Sequence, residues 1–317
     1  MKVVVYDTFG GIDVLKIENI ALSAPGPTEV QVEPFAVSVN PIDGKIRRGE
    51  LKLMSGGRFP KRTGQDFSGV IRAVGSKVTR WKVGDEVYGC ARGMKDGALG
   101  EAVNVPQDFV SARPRSVSHA TAASLPMVAL AAFQSFDRVA KISESSSVLV
   151  NGCTGGFGLI ALQLAHKAGA STTGVCGADG LALAQEYGAD TVIDYRSNNV
   201  ATSPERFDVI LELSGQLPFN SAHSLLKDRG AYIDVSPSPG SIIGNTLANP
   251  FRRRTHKLLL SKARANDLAT IASYIDQGSL QPPPITTFEF EDFAKAYSAA
   301  EAGGVIGKIV VQVRPES

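Results

Sequence analysis

The feature that most constrains this chain is the regular alternation of short apolar runs with segments of helical spacing from residue 147 onward. The run Val148-Leu149-Val150 is apolar throughout, as expected for a strand that is buried on both faces. Further apolar runs occupy residues 171–175, 191–193, 208–213 and 231–235, and helical segments lie between them at 158–168, 181–187 and 221–226. This alternation predicts a parallel sheet that is covered by helices.

The first 110 residues have a different pattern, with short β-branched runs between turn signals. Residues 30–39 alternate between apolar and polar side chains, and further runs lie at 67–74, 86–88 and 102–105. A partly closed β-barrel or a sandwich would give strands at this spacing.

The C-terminal part of the chain resembles the β-rich first part more than the α/β part. It contains an alternating strand at 286–290, a helix at 292–302 and a last strand at 308–313. We therefore predict a discontinuous first domain, residues 1–119 and 263–317, with an inserted α/β domain of residues 120–262. The connecting regions predict a helix over 120–140 that is interrupted only by Pro126, an edge strand at 258–260 and a helix at 266–277.

Composition and charge exclude several classes of protein. Of 317 residues 43% are apolar, and 33 basic against 31 acidic residues leave a net charge of +2, so we expect neither disorder through excess charge nor a field for nucleic acid. The three cysteines have no close pairing, which argues against a disulfide scaffold and favours a reducing compartment such as the cytoplasm. No apolar run reaches the roughly 18 residues of a membrane helix, and the first residues are typical of a strand and turn rather than a signal peptide.

The sharpest local motif is a glycine-rich turn between a buried strand and a helix, Asn151-Gly152-Cys153-Thr154-Gly155-Gly156-Phe157-Gly158. In this position glycines let the backbone approach a pyrophosphate, and the N–H groups of the helix N-terminus meet its charge. Two glycines fill two of the three positions of the dinucleotide fingerprint, and Cys153 stands where the first glycine is usual. The turn predicts a dinucleotide site, with a purely structural strand–turn–helix as the alternative, at Thr154, Gly155, Gly156, Phe157 and Gly158.

The end of the next strand bears on which dinucleotide is bound. NAD-selective sites usually have a carboxylate there, whereas this strand ends in Cys176 and Gly177, which leave room for the 2′-phosphate of NADP. Asp179 would repel that phosphate if it pointed inward, or else it would cap the following helix. After the third strand, Tyr195 and Arg196 supply a hydroxyl group and a cation, so the sequence favours NADPH as the cofactor.

Two later strand ends are further candidates for the cofactor site. Leu213 and Ser214 follow one strand, and Ser236 follows the next. The carboxyl ends of parallel strands are where a dinucleotide crosses such a sheet, although structural turns remain the alternative for each.

Several motifs are spread over nearly the whole chain. They are Asn40-Pro41-Ile42-Asp43, Gly64-Gln65-Asp66-Phe67-Ser68-Gly69-Val70, Trp81-Lys82-Val83-Gly84-Asp85-Glu86-Val87-Tyr88-Gly89, Leu125-Pro126, the glycine-rich turn, Gly188-Ala189-Asp190 and Gly307-Lys308-Ile309-Val310. Through these motifs the sequence resembles the medium-chain dehydrogenase/reductase superfamily, in the zinc-free quinone oxidoreductase branch, and within it the plant chloroplast-envelope quinone oxidoreductase homologues and their bacterial relatives. The resemblance implies a GroES-like β-barrel domain joined to a Rossmann domain, with catalysis in the cleft between them.

The resemblance also indicates whether a metal ion is expected in the site. Zinc-dependent relatives carry a cysteine ligand where Asn40 stands and a Gly-His-Glu where Gly64-Gln65-Asp66 stands, and the expected four-cysteine lobe is reduced here to Cys90. Asparagine and glutamine are not the nitrogen and sulfur ligands of a catalytic zinc, so no metal site is expected. Without that Lewis acid, oxidation of a simple alcohol is disfavoured, whereas a conjugated acceptor delocalises the charge that develops on its oxygen.

The catalytic candidates are Asn40 and Asp43 of one motif and Lys45, two residues beyond it. Asn40 precedes a proline, which favours extended geometry, and it could aim a donor at the substrate carbonyl. Its alternative role is a helix N-cap with Pro41 at the first helical position, and both roles are compatible if Asp43 caps the backbone instead. Lys45 could place a cation near an enolate oxygen, or it is simply solvated.

The sequence therefore predicts an NADPH-dependent reductase of quinones or α,β-unsaturated carbonyl compounds. An enoyl-thioester reductase, or a non-catalytic protein that binds NADPH or nucleic acid, are the alternatives. The basic stretch Arg252-Arg253-Arg254 could attract an anionic partner, but it fits a solvated loop beside the 258–260 edge strand better. Because relatives commonly pair the edges of the Rossmann sheet, a homodimer through that strand is expected.

Overall fold

The computed structural model describes residues 1–93, 96–235, 249 and 252–316. It divides into two units, one of Met1–Met127 with Ala263–Ser317 and the other of Val128–Lys262. The sequence places the first boundary between residues 119 and 120, and the structure places it between residues 127 and 128.

The strands and helices of the described residues are numbered in chain order. The strands are β1 (Lys2–Tyr6), β2 (Lys16–Asn19), β3 (Glu29–Val39), β4 (Lys61–Arg62), β5 (Asp66–Val74), β6 (Glu86–Cys90), β7 (Val103–Pro106), β8 (Val110–Ala112), β9 (Ser147–Asn151), β10 (Ser171–Cys176), β11 (Thr191–Asp194), β12 (Phe207–Glu212), β13 (Leu226–Asp234), β14 (Thr255–Leu258), β15 (Ile285–Glu289) and β16 (Lys308–Gln312). The helices are α1 (Pro41–Arg47), α2 (Lys52–Ser55), α3 (His119–Ala123), α4 (Pro126–Gln134), α5 (Gly156–Lys167), α6 (Leu181–Glu186), α7 (Phe219–Ala222), α8 (Ala265–Asp276) and α9 (Phe293–Glu301).

The first unit is built on a seven-stranded sheet in the order β15–β16–β3–β5–β6–β8, with β7 also paired to β3. A smaller sheet, β2–β1–β4, accompanies it. The inward-facing residues of β3, among them Val30 and Val32, are fully buried in an apolar core with Phe67 and Ile71 from β5. The C-terminal strand β16 pairs with β3, so the tail of the chain completes the N-terminal unit.

The long strand β3 determines where the polar residues of this unit meet. Ile309 of β16 pairs with Val39 on one side of β3, and Asp66 of β5 pairs with Ser38 on the other. The first residues of β5 and β16 are therefore brought to the carboxyl end of β3, where Asn40 begins the turn into α1.

The second unit contains one parallel six-stranded sheet in the order β11–β10–β9–β12–β13–β14. Counted from the first strand of the unit, this is the order 3-2-1-4-5-6 of a doubly wound dinucleotide-binding sheet. Leu149 and Ile210, which belong to the two central strands, are fully buried, as strands covered on both faces require. The predicted fold class, a GroES-like β domain with a Rossmann sheet, is thus confirmed.

Two predicted elements differ from the structure. The edge strand predicted at 258–260 lies at Thr255–Leu258, because the backbone pairs His256 with Tyr232 and Leu258 with Asp234. The helix predicted over 120–140 is broken at Ser124 and Leu125, resumes with proline at its first position and ends in a π-helical turn, Ser135–Val139. No helix within the described residues is long and apolar enough to span a membrane.

Candidate functional site

Asn40 lies at the junction of β3 and α1 with only 3% of its surface exposed. Its backbone is extended, as the following proline requires, and Pro41 is the first helical residue. The turn has the arrangement of a capping box, in which the side chains of Asn40 and Asp43 approach each other's backbone N–H groups. Asp43 accepts a hydrogen bond from the Asn40 backbone N–H at 2.8 Å, and the Asn40 carboxamide has further partners.

The Asn40 carboxamide lies between two buried charges. Its Nδ2 donates to Asp66 Oδ2 at 3.0 Å, and its Oδ1 accepts from Lys308 Nζ at 2.6 Å. Lys308 also donates to the Val39 carbonyl oxygen at 3.0 Å. The Asp66 carboxylate also accepts hydrogen bonds from the backbone N–H of Met127, at 3.1 and 3.2 Å. Backbone groups of Val39 and Met127 therefore hold the two ends of this network.

Two buried carboxyl groups thus face one buried ammonium group. Burial raises the pKa of Asp43 to about 7, and the nearby Asp66 adds to the shift while Lys308 opposes it. Burial also raises the pKa of Asp66, and it lowers the pKa of Lys308 against the attraction of both carboxylates. One ammonium can balance only one carboxylate in a desolvated site, so Asp43 holds a proton up to near-neutral pH.

Of the three predicted catalytic residues, the structure brings together Asn40 and Asp43. Lys45 lies in the last turn of α1 and is half-buried, a position where a cation is favoured by the helix dipole. The hydrogen bonds that hold Asn40 come from Asp66 and Lys308 instead.

The donor atoms around Asn40 do not fit a zinc ion. Its amide oxygen already faces an ammonium group at 2.6 Å, and a dication beside that charge would be repelled. Gln65 donates to the Asp96 carbonyl oxygen, and the thiol of Cys90 donates to Asp66 at 3.4 Å. In the described part of the chain, no three His, Cys, Asp or Glu side chains are grouped as a metal ion would need.

In the second unit, the predicted glycine-rich turn connects β9 to α5, as a dinucleotide site requires. Gly155 is the N-cap residue of α5, and no side chain caps this end of the helix. A Cβ atom at Gly155 would find its nearest neighbour 3.9 Å away, so the space in front of the helix is open. Gly156 begins the helix and Phe157 and Gly158 follow in its first turn, so backbone N–H groups are available to an anion there.

Two other glycines of the turn are required by geometry. Gly152 has φ of +85°, a left-handed conformation that favours glycine. A Cβ atom at Gly158 would stand 2.5 Å from the Cys153 Cα, so only glycine lets the helix approach the turn this closely. The turn is fixed to the neighbouring strand because the N–H groups of Gly152 and Cys153 both donate to the Val175 carbonyl oxygen. These features fit a bound pyrophosphate.

Four predicted cofactor residues, Cys176, Gly177, Tyr195 and Arg196, meet where β10 and β11 end. The Tyr195 N–H donates to the Cys176 carbonyl oxygen at 3.1 Å. A Cβ atom at Gly177 would lie 3.5 Å from the Arg196 guanidinium carbon and 3.6 Å from the Tyr195 ring. The guanidinium lies 5.6 Å from the centre of that ring and is largely exposed. A cation and a phenol beside a glycine suit a phosphate group.

The proposed capping role of Asp179 is wrong. The N-cap of α6 is Gly180, and no side chain caps that helix. Asp179 lies in the preceding 3₁₀ turn, where its carboxylate is 84% exposed and 3.9 Å from Arg196. The sequence suggests a cap because Asp179 lies two residues before an apolar helical run, but the extra turn shifts the cap by one residue to Gly180.

The remaining cofactor candidates, Leu213 and Ser214, follow β12 and are tied to the end of β9. Leu213 N–H donates to the Asn151 carbonyl oxygen, and the Asn151 side chain donates to Ser214 Oγ at 2.9 Å and to Glu212 Oε2 at 2.6 Å. The buried Glu212 also accepts from Ser214 Oγ at 2.7 Å. The predicted Ser236 lies outside the described residues.

The basic stretch is engaged with its own unit. Arg253 lies 3.5 Å from the Asp228 carboxylate, and Arg254 donates to the His223 carbonyl oxygen at 3.0 Å. Arg252 stacks over the Phe219 ring at 5.3 Å. Each arginine therefore has a local partner, as expected for charged residues beside an edge strand.

Asp66 and Lys308 are not predicted from the sequence as site residues. Both belong to the family motifs, but they lie 26 and 268 positions from Asn40. The available signal was a charged residue at the first position of each apolar strand, Asp66 before Phe-Ser-Gly-Val and Lys308 before Ile-Val-Val.

Comparison with known proteins agrees with this geometry. Residues 26–115 match the family model described as alcohol dehydrogenase GroES-like domain, and residues 187–311 match the one described as zinc-binding dehydrogenase. The chain is 32% identical to the mitochondrial NAD(P)H oxidoreductase RTN4IP1 of Bos taurus, over 98% of this chain and 88% of the relative. It is also 32% identical to 2-methylene-furan-3-one reductase of Solanum lycopersicum, over 99% and 80%.

A solved structure is similar over the same extent. The quinone oxidoreductase from Coxiella burnetii superposes with a TM-score of 0.90 at 27% identity, covering 99% of each chain. The family recognised from the motifs is confirmed by the relatives and by this structure. The chain is therefore an oxidoreductase that belongs to the medium-chain dehydrogenase/reductase superfamily, in its quinone oxidoreductase branch.

Proposed function

We propose that the chain reduces quinones or α,β-unsaturated carbonyl compounds with NADPH. The observation that carries the proposal is the Asn40 carboxamide, a buried donor held between fixed charges. An amide nitrogen has two N–H groups, and Asp66 takes one of them. The second, which has no partner among the described residues, is available to an acceptor oxygen on which negative charge develops.

The chemistry of the acceptor follows from that donor set. A reduced nicotinamide supplies a hydride when it is bound. The residues of this chain need only hold the acceptor and stabilise its oxygen, and one amide donor beside an ammonium group suits a conjugated acceptor, whose charge is delocalised. The names of the relatives, a furanone reductase and a quinone oxidoreductase, support the same acceptor class.

The glycine-rich turn and the two strand ends beside it would hold the cofactor. N–H groups of Gly156, Phe157 and Gly158 would bind the pyrophosphate, and Arg196 with Tyr195 would bind a 2′-phosphate, which supports NADPH over NADH. Thr154 packs against Gly180 and fixes the outer side of the turn, since a Cβ atom at Gly180 would lie 2.4 Å from its methyl group.

The experiment measures initial rates of NADPH and NADH consumption with a 1,4-quinone, a short enone and an enoyl thioester. We expect turnover of the quinone or the enone with NADPH, and no loss of rate with a chelator. Faster turnover of the thioester would favour an enoyl-thioester reductase, and binding of NADPH without consumption would contradict catalysis. The variant Asn40→Ala should lower kcat about a hundredfold, as removal of a single oxyanion donor does, while Asn104→Ala, at another buried asparagine of the same unit, should not.

We also propose a homodimer and a cytoplasmic location. Strand β14 lies at the edge of its sheet, and Leu260, just beyond it, is 66% exposed, which supports pairing of two β14 edges. Light scattering should give twice the chain mass, and Leu260→Glu should halve it; a monomeric wild-type chain would contradict the proposal.

The three cysteines are free thiols, which supports a location in a reducing compartment such as the cytoplasm. Cell fractionation checks that location.

A further inference from the structure

Lys308 is a buried cation whose position is defined by hydrogen bonds to one end of β3. Only 5% of its surface is exposed. Its ammonium group donates to Asn40 Oδ1 at 2.6 Å and to the Val39 carbonyl oxygen at 3.0 Å. Because Ile309 pairs with Val39, the sheet itself places Lys308 beside Asn40, independently of any flexible loop.

The two charges on either side of Asn40 select one orientation of its carboxamide. In the observed orientation the amide oxygen faces the Lys308 ammonium, and the amide nitrogen faces the Asp66 carboxylate. Rotation by 180° would place the NH₂ group against the ammonium and the C=O group against the carboxylate. Both contacts would then be repulsive in a desolvated site, where such interactions are stronger than in water.

We propose that Lys308 is a positioning residue of the reaction, which fixes the Asn40 carboxamide so that its second N–H is directed at the acceptor oxygen. The inference rests on the proposed function, because it takes Asn40 as the group that contacts the acceptor. Lys308 acts through Asn40, and its effect on the rate depends on the presence of the amide. This distinguishes it from a lysine that only balances buried carboxylates.

The dependence can be measured with a double-mutant cycle. Lys308→Met should lower kcat for the quinone about tenfold or more, because an unfixed amide loses much of the effect of one oxyanion donor. In the Asn40→Ala background the same substitution should change kcat by less than about twofold. The KD for NADPH should stay unchanged, since the cofactor residues belong to the other unit. Lys295→Met is the matched control, because Lys295 is an exposed lysine of the same unit that pairs with Asp292.

Two further variants keep the test decisive if Lys308→Met does not fold. Lys308→Arg retains the charge and the donor groups, and Lys308→Gln retains an N–H donor without the charge. We expect kcat to fall in the order wild type, Arg, Gln, with melting temperatures measured for each variant. This order of kcat supports the proposal if the differences in kcat disappear in the Asn40→Ala background.

Two results would overturn the proposed positioning role of Lys308. If the losses from Lys308 and Asn40 variants multiply, or if Lys308 variants melt lower with an unchanged kcat, Lys308 has only a structural role. A wild-type chain that reduces neither a quinone nor an enone would overturn the proposed function together with this inference. If the wild type is active and the losses in kcat from the Lys308 and Asn40 substitutions multiply, only the inference about Lys308 is overturned.

Discussion

The two units hold their polar residues in opposite ways. In the first unit, Asn40, Asp66 and Lys308 are almost fully buried and bond to one another over 2.6–3.0 Å. In the second unit, Arg196 and Asp179 are largely exposed, and their nearest charged atoms lie 3.9 Å apart. The first arrangement contributes to folding as well as to the candidate site, whereas the second is exposed to solvent.

This difference shows how the same residue types can have unlike energetic roles. A buried charge must be paired, because an uncompensated one is strongly destabilising. An exposed pair is screened by water and contributes little to stability. Substitutions in the buried network of Asn40, Asp66 and Lys308 should therefore change mainly stability. Substitutions at the exposed pair Arg196 and Asp179 should change mainly cofactor selectivity.

The largest effect is expected for Asp66→Ala. Removal of the Asp66 carboxylate leaves the Lys308 ammonium without the buried charge that most favours it, and leaves the Met127 N–H without an acceptor. The free energy of unfolding should fall by about 3–5 kcal/mol, the range for leaving a buried charge uncompensated. The matched exposed variant Asp179→Ala should change it by at most about 1 kcal/mol. Equal losses in urea titrations of the two variants would contradict the distinction between the networks.

The buried network should also make stability depend on pH through Asp43. Its pKa is raised from 3.8 to about 7 by burial, so the folded protein binds this proton more tightly than the unfolded chain does. The contribution therefore favours folding at low pH and is lost as the pH rises from about 4 to about 7. Asp43→Asn removes this loss and keeps an acceptor for the Asn40 N–H.

The free energy of unfolding of Asp43→Asn minus that of the wild type should therefore increase between pH 4 and pH 7. Above pH 7 this difference should stay constant. About 1.4 kcal/mol corresponds to one unit of pKa shift, so a rise of about 2–4 kcal/mol is expected. Denaturant titrations at several pH values measure it. Curves that run parallel over this window would show that Asp43 is not protonated in the folded protein.

The glycine-rich turn gives a smaller effect on stability, and Gly155, three residues before Gly158, provides the control. A Cβ atom at Gly158 would stand 2.5 Å from Cys153, so Gly158→Ala should force the turn apart and lower stability by about 1–3 kcal/mol. At Gly155 the nearest atom would be 3.9 Å away, so Gly155→Ala should change stability by less than about 0.5 kcal/mol. Thermal melts distinguish the two, and similar melting temperatures would mean that the close approach is not required.

The second unit was largely predictable from the sequence because its signals are local. The turn from Asn151 to Gly158 combines a strand end, glycines and a helix start within eight consecutive residues. The alternation of strands and helices then places the later strand ends at the same edge of the sheet. Asp179 was misjudged only because a 3₁₀ turn inserted before α6 moves the cap to Gly180.

The network of the first unit was predicted only in part because it depends on strand pairing between distant segments. Asn40 and Asp43 were found together, since one motif contains both. Lys308 joins them through the antiparallel pairing of β16 with β3, and such a register cannot be derived from the spacing of residues along the chain. Pro126 and the two charged strand starts were visible in the sequence, but nothing local related them to Asn40.

The smallest effect is expected at the exposed pair Arg196 and Asp179, which we propose selects between NADPH and NADH. Arg196→Ala should raise the KM for NADPH about tenfold, because a charge-assisted hydrogen bond to a phosphate is lost, and leave the KM for NADH nearly unchanged. Asp179→Asn should act in the opposite direction, since its carboxylate competes for Arg196 and repels a phosphate. Initial rates with both cofactors measure the ratio. Equal losses with NADPH and NADH would show that Arg196 does not contact a 2′-phosphate, and the selectivity of the second unit would then have to reside in Tyr195 or in the backbone at Gly177.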